Sequence, residues 1–529
     1  MKKTFALILA VVMCLGVSAC VSNQGAGNDP AANGNLSAGS SSQKNDVTVN
    51  VMLMPQGEMN EATVAKVTDA VNARLAELGY DFKVTFSFSG GAWGFDRLDT
   101  AIQTGAANLD IIPAHSWSGA VTYTIGAMEG QYLRLDNPAD NLLEKYGPDL
   151  YGNTAPAVKA AATVNGIEGV GIYGYIIEKD SVSQLGFLVN KTALEELGFT
   201  LDDFDANDFT SWTPILNAYK EAYPNSYPLN AEAEVLDRTV NHVAFTAVTT
   251  GPLGVVFNNA DPAGASSGIV SRYETQKYQD YLQVVRGYYE AGFIHPDQGV
   301  PGEISSNNIS SRRTSGDFLI SSFVYAPGAE NPISASASEA QGKDIEIVWV
   351  PGWSAPIATA ESALGSGLAI YAGTKNPAEA VIFLNLLASD TVIGNLLSEG
   401  VEGESFEIKD GIAWRLEGRA GWNIWRYGVV GANSGATPLG DVNPDGNEWV
   451  DFKTFNNNAV ALDTASFLFD VTPVDNQHSA TRLVIDKWAV PLGSGAANPA
   501  DYASFIAELK GANVDEVVAE AERQFAASK

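Results

Sequence analysis

Two alternating segments enclose a helical one where the globular part of the sequence begins. Apolar residues alternate with polar ones from Val47 to Leu53, which predicts a strand. From Val64 to Leu78 apolar residues recur at helical spacing, and Gly79 marks a helix stop. A second alternating segment runs from Phe82 to Phe88. A helix between two such strands predicts a right-handed crossover in an open α/β sheet.

The same local pattern returns in the second half of the chain. Residues Asn376 to Glu379 offer a helix cap, a proline at the first helical position and an acidic third residue. An apolar face follows from Phe383 to Leu387. Near the end, Asn513 and Glu516 predict the start of a last helix.

The first twenty residues predict export. Lys2 and Lys3 precede an apolar run from Phe5 to Val17, which is too short to span a bilayer as a helix. Residues 1–19 are therefore interpreted as a signal peptide. Ser18 to Cys20 resembles the lipobox of bacterial lipoproteins, which implies a lipid on Cys20. The alternative is an ordinary signal peptide followed by a chance cysteine. Residues 20–46, rich in Ser, Gly, Asn and Ala, predict a flexible tether.

Composition narrows the function classes. The only other cysteine, Cys14, lies in the signal peptide, so no disulfide or cysteine-based metal site is expected in the mature chain. Lys and Arg number 31 against 62 acidic residues, a net charge of -31, which disfavours nucleic acid and anionic lipid head groups as partners. The 529 residues are enough for more than one domain.

Several segments, in the expected order, resemble the family 1 extracellular solute-binding proteins of bacterial ATP-driven sugar importers. This sequence departs from the pattern of that family at two places. Residues Ile167 to Gly171 are inserted, and Thr192 occupies a position where family members usually have an acidic residue. The segments that carry the resemblance are Leu109 to Trp117, Phe187 to Phe199, Leu368 to Pro377, Leu396 to Gly403 and Ala519 to Gln524.

The resemblance implies an α/β periplasmic-binding-protein-like fold of type II, with two lobes and a ligand cleft between them. Lobe 1 is expected to comprise residues 47–187 and 364–420, and lobe 2 residues 188–363 and 421–529. Closure of such lobes traps the solute. The implied protein is an extracytoplasmic monomer without cofactor or enzymatic activity, which delivers an oligosaccharide to permease subunits.

Candidate ligand-binding residues follow from sugar chemistry. Indole rings stack on the C–H faces of sugars, and polar side chains pair with the hydroxyls. Loops at strand ends favour a ligand-facing position, although Trp422 and Trp425 also fit one face of a buried helix. Asp110 is equally interpretable as a helix cap. The candidates are Gln56, Glu58, Trp93, Asp110, Trp117, Tyr175, Tyr325, Trp353, Trp422 and Trp425.

Other chemical signals are weaker. Gly169 to Gly174 matches a dinucleotide fingerprint, but a strand-like run follows it instead of a helix. Asp441 to Asp451 resembles a calcium loop that carries Phe452 where the twelfth-position Glu is required, so turn formation is the competing interpretation. The alternatives left open are a peptide or other polar solute as ligand, a surface-tethered glycoside hydrolase, and a structural or adhesive lipoprotein.

Overall fold

Two mixed β-sheets organise the part of the chain that the structure, a computed structural model, describes. The described residues are 47–528 except 106–107, 119–120, 234–235, 238, 240–244, 248–254, 260–265, 302, 353–355, 359, 417–420, 462–466 and 468. The predicted signal peptide, the predicted lipid site Cys20 and the predicted tether to residue 46 thus lie outside the described residues.

The first sheet has five strands, and its first strand–helix–strand unit is the predicted one. The strands Thr48–Leu53 and Lys83–Phe88 are parallel, joined by the helix Glu61–Glu77. Asn60 caps that helix through its side chain, and Gly79 beyond its end has φ +87°, which favours glycine. The spatial order of the sheet is Lys83–Phe88, Thr48–Leu53, Ile111–Pro113, Gly367–Ile370 and Gly174–Ile176, the first three strands parallel and each of the last two antiparallel to the strand before it.

The second sheet has four strands and lies beyond the first crossing of the chain. Its spatial order is Leu229–Asn230, Ile320–Val324, Leu185–Asn190 and Ile347–Pro351. The first two strands are parallel, and Leu185–Asn190 is antiparallel to both of its neighbours. Shorter pairings complete the described β-structure: Phe245–Ala247 with Val255–Asn259 and Ser266–Ser271, Ile357–Ala358 with Val460–Ala461, Phe406–Lys409 with Ile412–Arg415, Asp136–Asn137 with Asp140–Asn141, and Thr163–Gly166 with Gly169–Ile172.

The helices cover the sheets, and the two predicted later in the chain are present. The one predicted after Asn376 begins at Pro377, and the last one begins at Val514. In chain order the described α-helices are Glu61–Glu77, Asp96–Gln103, Tyr123–Met128, Leu142–Tyr146, Pro156–Ala161, Lys191–Glu196, Thr213–Ala222, Gln276–Glu290, Glu303–Ser315, Glu330–Gln341, Ala360–Ala363, Pro377–Ser389, Thr391–Glu399, Glu448–Asn457, Asp475–Gly493, Tyr502–Gly511 and Val514–Ser528.

Each sheet has its own hydrophobic core. The first core takes its buried residues from 49–177 and 364–436, and the second takes them from 187–320 and 474–521. Trp422 and Ile424 belong to the first core. The expected boundary after residue 420 is therefore corrected: the chain stays in the first lobe to at least Ala436, because these apolar side chains pack under the first sheet.

Three crossing segments join the lobes and are hydrogen-bonded to one another. Ser183, in the first crossing, forms a bridge with Ile357 in the second. Ile357 pairs in turn with Val460 in the third. The side chain of Asn456 accepts a hydrogen bond from the Ser181 amide and donates one to the carbonyl of Lys179. Hydrogen bonds thus link the three segments to one another.

Two further sequence signals have a simple structural outcome. Gly169–Ile172 pairs with Thr163–Gly166 as a hairpin, so the dinucleotide fingerprint does not open a helix. Within the described residues no single helix is long and apolar enough to cross a membrane, although Pro377–Ser389 and Thr391–Glu399, bent by 90°, pass that test as a pair.

Candidate ligand-binding site

The site begins at one edge of the first sheet, where all five strands present loops or crossing segments. The parallel strands end there at Leu53, Phe88 and Pro113. The antiparallel strand Gly367–Ile370 starts at the same edge, opposite Ile176. The first crossing leaves this edge directly after Ile176. Loops at such an edge lie where ligands bind in open α/β sheets.

Three tryptophans converge at this edge in what we call the indole corner: Trp93, Trp117 and Trp425. Their ring centroids are 5.5 Å apart for Trp117 and Trp425, 5.8 Å for Trp93 and Trp425, and 6.5 Å for Trp93 and Trp117. The rings are inclined to one another by 47–68°. Trp93 is 49% and Trp117 44% exposed, so large parts of two indoles remain open to solvent.

Backbone hydrogen bonds from separate strand ends hold the corner together. The amide of Trp93 donates to the carbonyl of Pro55 at 2.8 Å, and that of Trp425 donates to Met54 at 3.1 Å. The indole nitrogen of Trp117 donates to the carbonyl of Gly365 at 2.7 Å. The backbones of Trp93 and Trp425 and the indole of Trp117 are therefore fixed at the sheet edge.

Trp93 also has an unusual backbone. Its φ is +59°, in the left-handed region that costs a non-glycine residue about 1–3 kcal/mol. A Cβ at Gly90 would approach backbone atoms of Gly94 at 2.6–2.7 Å, which leaves no room for it, and a Cβ at Gly94 would be in tight contact with the Gly91 nitrogen at 3.1 Å. This tight turn presents a large apolar ring to solvent, an arrangement that folding alone does not favour.

Two rings that are not among the predicted ligand-binding residues lie against the corner. His115 stacks on Trp117 with centroids 5.0 Å apart and planes inclined by 19°. Phe95 meets both His115 and Trp117 edge-on, at 5.9 and 5.7 Å. Burial, and secondarily the charge of Lys179, lowers the pKa of His115 to about 3. His115 is therefore neutral at ordinary pH and behaves as an aromatic spacer.

A charged pair lies beside the corner on the first crossing segment. The ammonium nitrogen of Lys179 lies 5.6 Å from the ring centroid of Trp425, within the range of a cation–π interaction. Asp180 pairs with the same ammonium, and both side chains are only slightly exposed, at 13% and 16%. The corner thus has a donor and an acceptor for hydroxyl groups within its immediate surroundings.

A buried ion network supports Trp425 from the next residue. Arg426 donates to Glu399 at 2.7 Å and to Glu448 at 2.9 Å, and neither carboxylate is exposed. Glu399 also accepts from Arg415 at 2.8 Å. Glu399, in the segment Leu396 to Gly403, is therefore a structural ion-pair partner of Arg426. Removing one partner of such a buried set costs about 3–5 kcal/mol.

The polar candidates after the first strand lie at the same edge. Gln56 is half-buried, and its backbone amide donates a hydrogen bond to the backbone carbonyl of Asn423 at 2.7 Å. Glu58 is exposed, and its carbonyl accepts from the side-chain amide of Asn423 at 2.6 Å. Since Asn423 lies two residues before Trp425, these contacts hold the backbone of both predicted residues near the corner.

Asp110 has a structural role in place of the expected ligand-facing one. Its side chain is 3% exposed and accepts hydrogen bonds from the amide of Asn50 at 2.8 Å and from the Thr374 hydroxyl. It therefore ties the first strand to the loop before the helix at Pro377. Neither expected role, hydroxyl binding or capping of the next helix, describes these contacts.

Tyr175 and Trp422 are also corrected, because both rings are fully buried. The hydroxyl of Tyr175 donates to the carbonyl of Asn433 at 3.0 Å. The indole nitrogen of Trp422 donates to the carbonyl of Leu397 at 2.9 Å. Their polar groups are thus satisfied inside the first lobe, and neither ring reaches a surface where a ligand could stack.

The candidates of the second lobe have different outcomes. Tyr325 follows the strand Ile320–Val324, stacks on Trp349 with centroids 4.6 Å apart, and lies at the edge where the first crossing arrives. Burial raises its pKa to about 12. It is therefore a second aromatic element, separate from the indole corner. Trp353 lies outside the described residues.

The calcium interpretation of Asp441 to Asp451 is not supported by the local contacts. The side-chain oxygen of Asn443 accepts from the amides of Asp445 and Asn447, as in an Asx turn. Asp441 lies 3.8 Å from Arg415. Among the residues that the structure describes, no group of three His, Cys, Asp or Glu side chains is placed to hold a metal.

Comparison with solved structures gives long matches over nearly the whole chain. The crystal structure of the N-glycan transport solute binding protein (NgtS) from Streptococcus pneumoniae matches with a TM-score of 0.71 at 20% identity, covering 91% of this chain and 98% of that one. An HMO binding ABC-transporter associated solute binding protein from Bifidobacterium longum infantis matches with a TM-score of 0.61 at 15% identity, covering 91% and 99%.

The chain has the fold of the extracellular solute-binding proteins. The resemblance to extracellular solute-binding proteins is thereby confirmed at the level of the fold, and the α/β two-lobe expectation with it. In sequence, a carbohydrate ABC transporter substrate-binding protein from Streptococcus pneumoniae is 23% identical over 421 residues, which are 77% of this chain and 76% of that protein. Residues 463–529 of this solute-binding fold match a family model described as a domain of unknown function, DUF3502.

Proposed function

We propose that this protein captures an oligosaccharide outside the cytoplasm and delivers it to an ATP-driven importer. The observation that carries the proposal is the indole corner at the ligand-binding edge of the first sheet. Its half-exposed rings offer apolar faces for sugar C–H groups, and Lys179 and Asp180 offer a donor and an acceptor for hydroxyls.

The relatives support a sugar rather than a peptide as the ligand. NgtS has been crystallised in complex with Man5GlcNAc and with Man1GlcNAc, and these structures match this chain with TM-scores of 0.65 and 0.67 at 21% identity. The relative from Streptococcus pneumoniae is named for carbohydrate transport. We take an oligosaccharide as the ligand class, without carrying over a particular glycan.

Capture proceeds by closure of the two lobes around the bound sugar. A ligand drives closure only through a higher affinity for the closed state. The linked crossing segments, with Asn456 bonded to the first of them, are the hinge of this motion. Permease subunits then recognise the closed form, and the ligand leaves unchanged because the protein performs no reaction.

The mature protein is held at the outer face of the cell membrane as a monomer with lipid on Cys20. A single acyl chain gives only marginal binding, so stable anchoring requires at least two. Residues 20–46 would serve as the tether. Mass spectrometry of the membrane fraction tests this part: a Cys20→Ser variant is expected to appear in the soluble fraction without the lipid mass.

A thermal-shift screen of the protein without its lipid tests the ligand class. The panel contains Man5GlcNAc, Man1GlcNAc, linear glucan oligosaccharides and short peptides. Saturation at 100 times Kd adds about 2.7 kcal/mol to the free energy of unfolding, which gives a visible shift. The expected result is a shift with at least one oligosaccharide that Trp117→Ala reduces strongly and that Trp488→Ala, a control in the second lobe, retains.

Two outcomes would overturn the proposal. A shift with peptides alone would change the ligand class, although the fold would stand. Release of new reducing ends during prolonged incubation would show glycoside hydrolysis instead of capture.

A further inference from the structure

His115 lies directly behind the indole corner and touches two of its three rings. It is fully buried, stacks on Trp117 at 5.0 Å, and meets Trp425 at 5.3 Å with the ring planes inclined by 87°. Trp117 and Trp425 themselves are inclined by 68°. The imidazole therefore fills the angle between the two indoles, on the side away from solvent.

The imidazole and the Trp117 indole are anchored to the same short segment. The amide of Gly367 donates to Nδ1 of His115 at 3.1 Å, and Gly365 accepts from the indole nitrogen at 2.7 Å. This segment ends the second crossing and begins the strand Gly367–Ile370. Ser366, between the two glycines, donates its hydroxyl to the carbonyl of Tyr427, two residues beyond Trp425.

The protonation state of His115 follows from these contacts. Because Nδ1 accepts a hydrogen bond, the neutral ring carries its proton on Nε2. That nitrogen is buried and has no hydrogen-bond partner among the described atoms. An unpaired buried donor is costly to folding. A phenyl ring would fill the same space without that cost, so packing alone does not account for a histidine here.

We propose that His115 is a positioning residue that sets the angle between Trp117 and Trp425. Nδ1 fixes the start of the strand at Gly367, and the ring transmits this fixed position to both indoles. Burial lowers its pKa to about 3, so the ring keeps this role at ordinary pH. The inference rests on the proposed function for the use of the corner, but the angle itself can be tested without ligand.

The test uses fluorine NMR of the protein labelled with 5-fluorotryptophan and measured without ligand. The ten tryptophan resonances are assigned by single Trp→Phe replacements. His115→Phe keeps the stacked ring but loses the acceptor for Gly367, whereas His115→Asn keeps an acceptor but loses the ring. Both variants are expected to shift the Trp117 and Trp425 resonances and to leave that of Trp212, in the second core, unchanged.

A matched control is His478→Asn, in the helix Asp475–Gly493. This variant is expected to leave the resonances of Trp117, Trp425 and Trp212 unchanged. In a second arm, the affinity of both His115 variants for the best oligosaccharide of the thermal-shift panel is expected to fall about tenfold. Unchanged Trp117 and Trp425 resonances in a folded His115→Phe variant would overturn the positioning role. Shifted resonances without any oligosaccharide binding by the unmodified protein would instead overturn the proposed function alone.

Discussion

Two aromatic clusters, one in each lobe, differ in exposure. In the second lobe Trp212 is fully buried, with Phe187, Phe204 and Phe209 at centroid distances of 4.8–5.0 Å. In the indole corner the ring spacing is slightly wider, but Trp93 and Trp117 are half-exposed. Close aromatic packing is thus common to a core and to a candidate ligand surface.

The difference between the clusters arises from what surrounds them. The Trp212 ring lies within a closed hydrophobic core, and its nitrogen donates to the carbonyl of Asp205 at 2.7 Å. The corner lies at a sheet edge, where the backbone of Trp93 is in the left-handed region and the Lys179–Asp180 pair is nearby. Exposure at a strand-end edge therefore distinguishes the candidate binding surface from a core, whereas aromatic clustering alone does not.

The largest expected effect is a loss of stability on truncating the buried tryptophan of the second lobe. Trp212→Ala should lower the free energy of unfolding by about 3–5 kcal/mol, because it leaves a cavity in the second core. Chemical denaturation measures this loss. The folded fraction of the variant should bind oligosaccharide with unchanged affinity. A similar loss of stability in Trp117→Ala would contradict the distinction between the two clusters.

Acid should also affect the two regions differently, because, among the described residues, a buried histidine contacts the corner and none contacts Trp212. The pKa of His115 is about 3 in the folded state and 6.5 in the unfolded state. Below pH 6.5 the unfolded state therefore binds a proton that the folded state does not, and the free energy of unfolding falls as the pH falls. The expected loss is roughly 3 kcal/mol between pH 7 and pH 4, at about 1.4 kcal/mol per pKa unit. Denaturation at both pH values should show this loss in the unmodified protein and not in His115→Asn.

Truncation at the corner should act on binding. Trp117→Ala is expected to weaken oligosaccharide affinity by at least about 2 kcal/mol, or roughly thirtyfold, as for other aromatic residues at binding hot spots. Its stability should change less, because the ring is already 44% exposed. Titration calorimetry measures the affinity. Retained affinity in this variant would place the ligand elsewhere.

The smallest expected effect comes from the backbone of Trp93. Both Trp93→Gly and Trp93→Ala remove the indole and should weaken binding equally. Glycine relieves the left-handed strain that alanine keeps, so Trp93→Gly should be more stable than Trp93→Ala by about 1 kcal/mol. Paired thermal unfolding experiments measure the difference. Equal stability would show that the turn relaxes when the ring is removed.

Much of the fold was predictable because it depends on local patterns. The first strand–helix–strand unit and the helix at Pro377 follow from spacing and capping that neighbouring residues determine. The meeting of Trp93 and Trp117 was also predictable in outline, since both follow parallel strands that end at one edge. These are the parts of the site where short-range sequence controls position.

The remainder depends on contacts between distant parts of the chain. Trp425 reaches the corner through a bridge between Pro55 and Ile424, which no local pattern indicates. Tyr175 alternates in a strand as an exposed residue could, yet its ring is covered by other elements of the first lobe. His115 gave no signal of its own, although its place two residues before Trp117, after a strand, is consistent with its contact there.

The most direct test of the oligosaccharide site is fluorine NMR of the 5-fluorotryptophan protein during titration with the oligosaccharide that gives the largest thermal shift. We expect the resonances of Trp93, Trp117 and Trp425 to shift in a saturable way, while that of Trp212 stays in place. Saturable binding that leaves all three corner resonances unchanged would contradict the assignment of the indole corner as the sugar-binding surface.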